Sequence, residues 1–138
     1  MSNSPPNLGN LLIVEDDEGL RRQYRWVFPA AKLSLAGTRE EAIAAIRREA
    51  VSVALVDLGL PPCPDEPSEG FATLEALREL SPMTKVIIAT GQGARENALK
   101  AIELGAFDFY EKPVEPEVLR LIVDRAYRHT PSPPVRSD

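Results

Sequence analysis

The chain is short of the residues on which many enzymes and metal proteins depend. Its 138 residues include one cysteine, Cys63, and one histidine, His129. A single cysteine excludes an internal disulfide and a multi-cysteine metal site, and its scarcity fits a reducing cytoplasm. Cys63 lies among prolines with no histidine near it in sequence, so a cysteine–histidine nucleophile pair finds no support. Basic residues are in deficit: sixteen Lys and Arg against twenty-one Asp and Glu leave a net charge of −5. That balance argues against nucleic-acid binding by this chain, which needs a basic patch. No apolar run approaches the ~20 residues of a membrane span, so no membrane partner is expected. Residues 1–10 lack the basic start and apolar centre of a secretory signal. Phosphate-cradling glycine loops are missing as well. There is no P-loop, and Gly91-Gln-Gly93 falls short of a dinucleotide fingerprint.

What the chain does have is a regular alternation. Short runs at 10–14, 32–36, 51–56, 85–90 and 106–110, rich in apolar residues, read as strands, the second weakly so because Lys32 and Ser34 interrupt it. Between and after them the apolar spacing turns helical. Leu20, Tyr24 and Val27 share one face of a first helix, with Asp17 as its N-cap and Pro29 as its end. Thr38 caps a second helix, with Glu41 three residues on at capping-box spacing, and Ala42, Ile43 and Ile46 inward. Leu74, Leu77 and Leu80 mark a third helix from about residue 70. A fourth runs over 94–104 until Gly105 stops it, and a fifth over 115–128 turns Leu119, Ile122, Val123 and Ala126 inward. Five strand-then-helix units predict an α/β fold with a parallel sheet covered on both faces. Length allows one domain, expected over 10–129, with a flexible lead at 1–9 and a disordered proline-rich tail at 130–138.

The run 51–57 is the centre of this pattern. It is apolar, β-branched and ends on a carboxylate, Asp57. An acid at the carboxyl end of a central parallel strand lies where α/β folds bind ligands. Taken alone, Asp57 reads as a turn cap. Other strand ends change that reading. Glu15 and Asp16 follow the first strand, Thr90 ends the fourth and Lys112 the fifth, so a parallel sheet gathers them on one edge. Carboxylates held together repel one another and stay ionised when a cation sits among them. Few protein oxygens suit Mg²⁺, which keeps waters and accepts phosphate oxygens. A carboxylate can accept a phosphoryl group as an acyl phosphate, with metal and lysine neutralising the transferring charge. The set therefore points to phosphoryl transfer onto Asp57. An enzyme that turns over phosphate esters through an aspartyl-phosphate usually carries a second Asp two residues after the nucleophile, and position 59 is glycine. A module that never takes phosphate leaves the intact acids, Thr90 and Lys112 without a purpose.

The motifs Ile13-Val-Glu-Asp-Asp-Glu18, Val56-Asp-Leu-Gly-Leu-Pro61, Ile88-Ala-Thr-Gly91 and Gly105-Ala-Phe-Asp-Phe-Tyr-Glu-Lys-Pro113 are each weak. In this order and spacing they resemble the receiver domain of two-component response regulators, over about residues 11–128. The resemblance implies a flavodoxin-like, doubly wound sheet of order 2-1-3-4-5 with five helices. It implies that a sensor histidine kinase phosphorylates Asp57. It implies Mg²⁺ held by Glu15, Asp16, Asp57 and the backbone carbonyl of Gly59, with Glu15 reaching the ion through water. Thr90 matches the switch hydroxyl, Phe109 the switch aromatic, and Lys112 the lysine that binds the phosphoryl oxygen, ahead of a Pro113 whose peptide bond is often cis in the family. Phosphorylation would remodel the face of the fourth helix, fifth strand and fifth helix. Residues there, including Ala98, Lys100, Glu103, Tyr110 and Arg120, would then favour a partner or a second copy as a homodimer.

The Gly-Ala-x-Asp-Phe-x-x-Lys-Pro ending resembles receivers of NtrC-type transcription activators. Glu15-Asp-Asp-Glu-Gly-Leu-Arg-Arg-Gln, Asp57-Leu-Gly-Leu-Pro-Pro, Ser68-Glu-Gly and Arg95-Glu-Asn-Ala-Leu-Lys are similar to regulators of the PEP-CTERM/exosortase group of exopolysaccharide-producing bacteria. Two departures stand out. The stretch 61–70, with four prolines and three acids, is longer than the family's usual loop by about five residues, and it borders the expected site. Long surface loops cost little, so it reads either as an inert insertion or as a screen over the site. Secondly, no output domain follows, which fits a piece of a longer regulator or a stand-alone receiver acting by protein–protein interaction or phosphorelay.

Overall fold

The computed structural model describes residues 10–29, 31–91 and 93–129. The lead expected at 1–9 and the tail expected at 130–138 lie outside the described residues. The elements are β1 (Asn10–Val14), α1 (Glu18–Val27), β2 (Lys32–Ala36), α2 (Arg39–Arg48), β3 (Val53–Asp57), α3 (Ser68–Leu80), β4 (Lys85–Thr90), α4 (Arg95–Glu103), β5 (Asp108–Glu111) and α5 (Pro116–Arg128). The strands form one sheet in the order β2-β1-β3-β4-β5, and each neighbouring pair is parallel.

Strand burial follows this order. Every residue of β1 and β3 is buried, as a parallel sheet covered on both faces requires, whereas the edge strands β2 and β5 are partly open. Alternation then divides the core in two. Leu12, Val14, Ala54, Val56, Val86 and Ile88 pack with residues of α2, α3 and α4. Leu11, Ile13, Val53, Leu55, Ile87 and Ala89 pack with residues of α1 and α5. Register places Val14 beside Val56, and Asp57 beside Ala89, so the carboxyl ends of the three central strands reach one edge together.

Local chemistry sets the helix starts. Asp17 caps α1 by accepting from the Leu20 backbone N–H at 2.9 Å, and Thr38 caps α2 by accepting from Glu41 at 3.1 Å. The reciprocal half of the expected capping box is displaced by one residue. The Glu41 carboxylate accepts from the backbone N–H of Gly37, not of Thr38, at 2.6 Å. On α2 the inward residues are Ala42 and Ala45, with Ile43 and Ile46 half-buried at the margins. Leu80 does not join Leu74 and Leu77 in the core; it sits on the last turn of α3 and is exposed. Gly105 stops α4 with φ +104°, a left-handed conformation suited to glycine. The fifth strand is shorter and later than the expected 106–110, because the Ala106 N–H still donates to the Ala101 carbonyl of α4 at 2.9 Å.

Candidate functional site

The short turn after β1 fixes Glu15. Its Oε2 accepts from the Asp17 N–H at 3.2 Å, and its backbone carbonyl accepts from Arg21 Nε, one turn into α1, at 2.6 Å. Glu15 is only 2% exposed, whereas Asp16 beside it faces solvent. Asp57, at the end of β3, is 9% exposed. Carboxylate oxygens of Glu15, Asp16 and Asp57 all lie within 4.8 Å of one another.

Among the described residues, one cation pairs with this group. Lys112, just beyond β5, places Nζ 3.1 Å from Asp57 Oδ1 and 3.7 Å from Glu15 Oε1. The same Oδ1 accepts from the Gly59 N–H at 3.3 Å. The Lys112 backbone is tied to β4 by its N–H donating to the Thr90 carbonyl at 2.8 Å. The Lys112–Pro113 bond is cis, and so is Pro61–Pro62. Burial draws the Lys112 ammonium down, but the Asp57 and Glu15 carboxylates outweigh it and leave the lysine above its ordinary value. Glu15 moves the other way for a carboxyl. Burial and then the Asp57 charge hold it up at about 7 against the pull of Lys112.

The donor set fits a hard divalent cation. It consists of oxygens only, and Glu15 Oε1 is buried with no hydrogen-bond donor on it. This has a consequence for pH. Glu15 binds its proton more tightly in the folded chain than at its ordinary 4.5, so its stabilising contribution is complete below that value and is lost as pH rises through about 7. In chelator, Glu15→Gln is expected to gain on wild type by roughly 2–3 kcal/mol between pH 5 and pH 8. Denaturant unfolding at the two pH values measures the difference, and a constant gap between the proteins would contradict it.

Thr90 ends β4, and Phe109 lies in β5 beside it. Thr90 is 1% exposed and its Oγ1 donates to the Tyr110 carbonyl at 3.4 Å. Phe109 is half-buried against the α2–α4 side of the core, and Tyr110 points to the opposite side, where its hydroxyl meets that of Tyr24 at 2.7 Å. The sheet edge thus assembles the carboxylates and Lys112, with Thr90 one bond away. Of the residues expected on the outer face of α4, β5 and α5, Ala98 and Tyr110 are buried, because each points into the core; Leu99 and Ile102 are the exposed apolar residues of α4. The hydrogen bond from Arg21 has no signal in the sequence: an arginine six positions after a carbonyl matches no local motif.

A cavity of about 300 Å³ opens beside Asp57, between the 59–67 loop and the start of α4, with Lys112 also in its lining. A larger hollow of about 900 Å³ between α1 and α5 touches Lys112, but none of the three carboxylates lines it. The chemistry belongs to the smaller one. Three pooled carboxylates and a bridging lysine can accept and hold an anionic group if a cation offsets the acids.

Comparison with known proteins agrees with this geometry. Residues 11–124 match the response regulator receiver domain family. The regulatory protein LuxO of Vibrio cholerae is 33% identical over 118 residues, 84% of this chain and 25% of LuxO. An NtrX-like response regulator of Rickettsia bellii is 29% identical over 122 residues, 87% of this chain and 25% of its own. Among solved structures, a CheY-like receiver domain protein from Methanospirillum hungatei is 29% identical with TM-score 0.79, covering 88% of this chain and 95% of that one. The chain spans about a quarter of the curated relatives it matches. Sheet order, strand-end chemistry and sequence agree: the chain belongs to the receiver-domain family of two-component response regulators.

Proposed function

We propose that Asp57 accepts a phosphoryl group from a sensor histidine kinase and stores it as an acyl phosphate. The observation that carries this reading is the lysine bridge: Lys112 Nζ lies 3.1 Å from Asp57 and 3.7 Å from Glu15, within a carboxylate trio gathered to 4.8 Å. Among the described residues, the hydrogen bonds to the Asp57 carboxylate fall on Oδ1, which leaves Oδ2 to attack phosphorus. The O–P bond forms as the N–P bond of the phosphohistidine breaks, and its electron pair returns to the imidazole. Lys112 then turns from carboxylate to phosphoryl oxygen. Mg²⁺ on Glu15, Asp16, Asp57 and the Gly59 carbonyl would offset the charge of the transferring group.

The switch follows from what holds Thr90. Its long bond to the Tyr110 carbonyl, 3.4 Å, is a weak competitor for a phosphoryl oxygen. Thr90 moves toward Asp57, Phe109 moves with it, and the face of α4, β5 and α5 is remodelled, with Leu99 and Ile102 available to a partner or a second copy. The phosphoryl group biases a two-state element. In a longer protein such a switch governs transcription, as the NtrC-type and exosortase-associated motifs support, and the net charge of −5 argues against nucleic-acid binding by this chain itself. No helix among the described residues is long and apolar enough to cross a membrane, and a cytoplasmic setting suits a kinase partner.

Beryllofluoride with Mg²⁺ mimics the phosphoryl group and tests the switch. Wild type is expected to show amide shifts that spread from Asp57 to β5 and α4, while Asp57→Asn shows none. Identical spectra for both proteins would refute the assignment.

A further inference from the structure

The loop between β3 and α3 is a built wall of the phosphoacceptor cavity, and its chemistry bears on which phosphoryl donors can enter. Its neck is closed by the Gly70 N–H donating to the Leu58 carbonyl at 3.2 Å. Inside, Cys63 donates to the Leu60 carbonyl at 3.2 Å and Glu66 to the Cys63 carbonyl at 3.0 Å. Leu60 is fully buried and anchors the near end. The loop folds back over the residue that follows the phosphoacceptor strand so closely that a Cβ on Gly59 would lie 2.4 Å from the Pro64 carbonyl oxygen. This brings Asp65 and Glu66 to the rim of the cavity that holds Asp57 and Lys112. Both are exposed, and among the described residues neither carboxylate has an ion pair or hydrogen bond to offset its charge. The nearest cation of the cavity, Lys112, is already shared between Asp57 and Glu15.

We infer that Asp65 and Glu66 are specificity-determining residues for phosphoryl uptake at Asp57: they select against small, highly charged anionic donors. The inference rests on the function proposed above. A dianion approaching Asp57 passes two uncompensated carboxylates, and the repulsion scales with its charge and falls with salt. The same carboxylates attract a divalent cation, so the comparison is made at Mg²⁺ levels where the rate no longer rises.

The probes are acetyl phosphate, a dianion near neutral pH, and phosphoramidate, which carries about one negative charge less through its ammonium group. The proteins are wild type, Asp65→Asn/Glu66→Gln, Asp65→Lys/Glu66→Lys, and Glu75→Gln/Glu79→Gln on the exposed side of α3 as a charge-matched control. At about 0.15 M salt the neutralised loop is expected to speed uptake from acetyl phosphate about threefold, and from phosphoramidate less than twofold. The acetyl phosphate ratio should widen toward ~tenfold at low salt, and the lysine variant should exceed both. The control should track wild type. Equal rates and equal salt dependence in wild type and loop variants overturn the inference while leaving Asp57 as phosphoacceptor. A gain that is the same for both donors, or is shared by the control, also overturns it. Absence of phosphoryl on Asp57 in every protein removes the parent reading and this one together.

Discussion

Lys112→Ala is expected to slow phosphoryl uptake by about 10²–10³-fold, the usual effect of removing one preorganised charge from a developing anion. The same change should tighten divalent cation binding. In the cation-free chain the Lys112 ammonium lies against Asp57 and Glu15, where it competes with any added cation for the same carboxylates. Removing it leaves three acids, one of them with a buried oxygen that no hydrogen bond satisfies, and raises the gain from metal binding. Transfer rate and metal affinity therefore move in opposite directions. A lysine that merely stabilised the fold would lower both. Titration of Mg²⁺ against the variant, alongside uptake from acetyl phosphate at saturating Mg²⁺, separates the two accounts.

Gly70→Ala should be the most damaging single methyl group in this part of the chain. A Cβ there would meet Leu58 Cα at 2.3 Å and the Leu58 carbonyl oxygen at 2.7 Å. Backbone cannot step aside as the end of a flexible side chain can. The first turn of α3 must therefore lift from β3, losing the Gly70–Leu58 hydrogen bond at the neck of the loop. Overpacking against backbone lies at the upper end of the usual range, about 3 kcal/mol, against about 1 kcal/mol that alanine returns as the better helix former. A net loss of about 2 kcal/mol is expected, read as a melting temperature roughly 5–10 °C lower. Gly91 is the natural comparison, since a Cβ there meets nothing within 4 Å. Its alanine variant should unfold within about 0.5 kcal/mol of wild type. Equal stability in the two variants would refute the close approach at Leu58.

Much of this architecture is legible in the residues because the sheet is buried on both faces. Runs such as Leu-Leu-Ile-Val and Val-Ile-Ile-Ala have no other economical reading, and β1, β2 and β4 begin and end where their apolar runs do. Strand ends follow from the same logic, since a charged residue stops an apolar run at the rim. That is why Glu15, Asp57 and Lys112 could be named as neighbours, and why they stand within ion-pair reach. Edges were less legible. The stretch 106–110 is apolar but for Asp108, yet β5 begins at that Asp108, because the Ala106 N–H still bonds back to the Ala101 carbonyl of α4. Leu80 keeps the three-residue spacing of Leu74 and Leu77 but rotates past the core, since a helix advances 3.6 residues per turn. Tyr110 was expected on an outer face and is instead 5% exposed, bonded to Tyr24 across the other half of the core. No pattern within either segment signals a bond between residues so far apart in sequence. The loop after Asp57 was visible as an insertion, but its path back over Gly59 depends on tertiary packing that composition does not encode.

The measurement that bears most directly on the whole account is the intact mass of the chain after incubation with acetyl phosphate and Mg²⁺, followed by mapping of the modified peptide. One phosphoryl group is predicted, labile to hydroxylamine as an acyl phosphate is, located on Asp57, and missing from Asp57→Asn and from wild type kept in chelator. An unmodified wild-type mass, or a phosphoryl group that persists in Asp57→Asn, would contradict it.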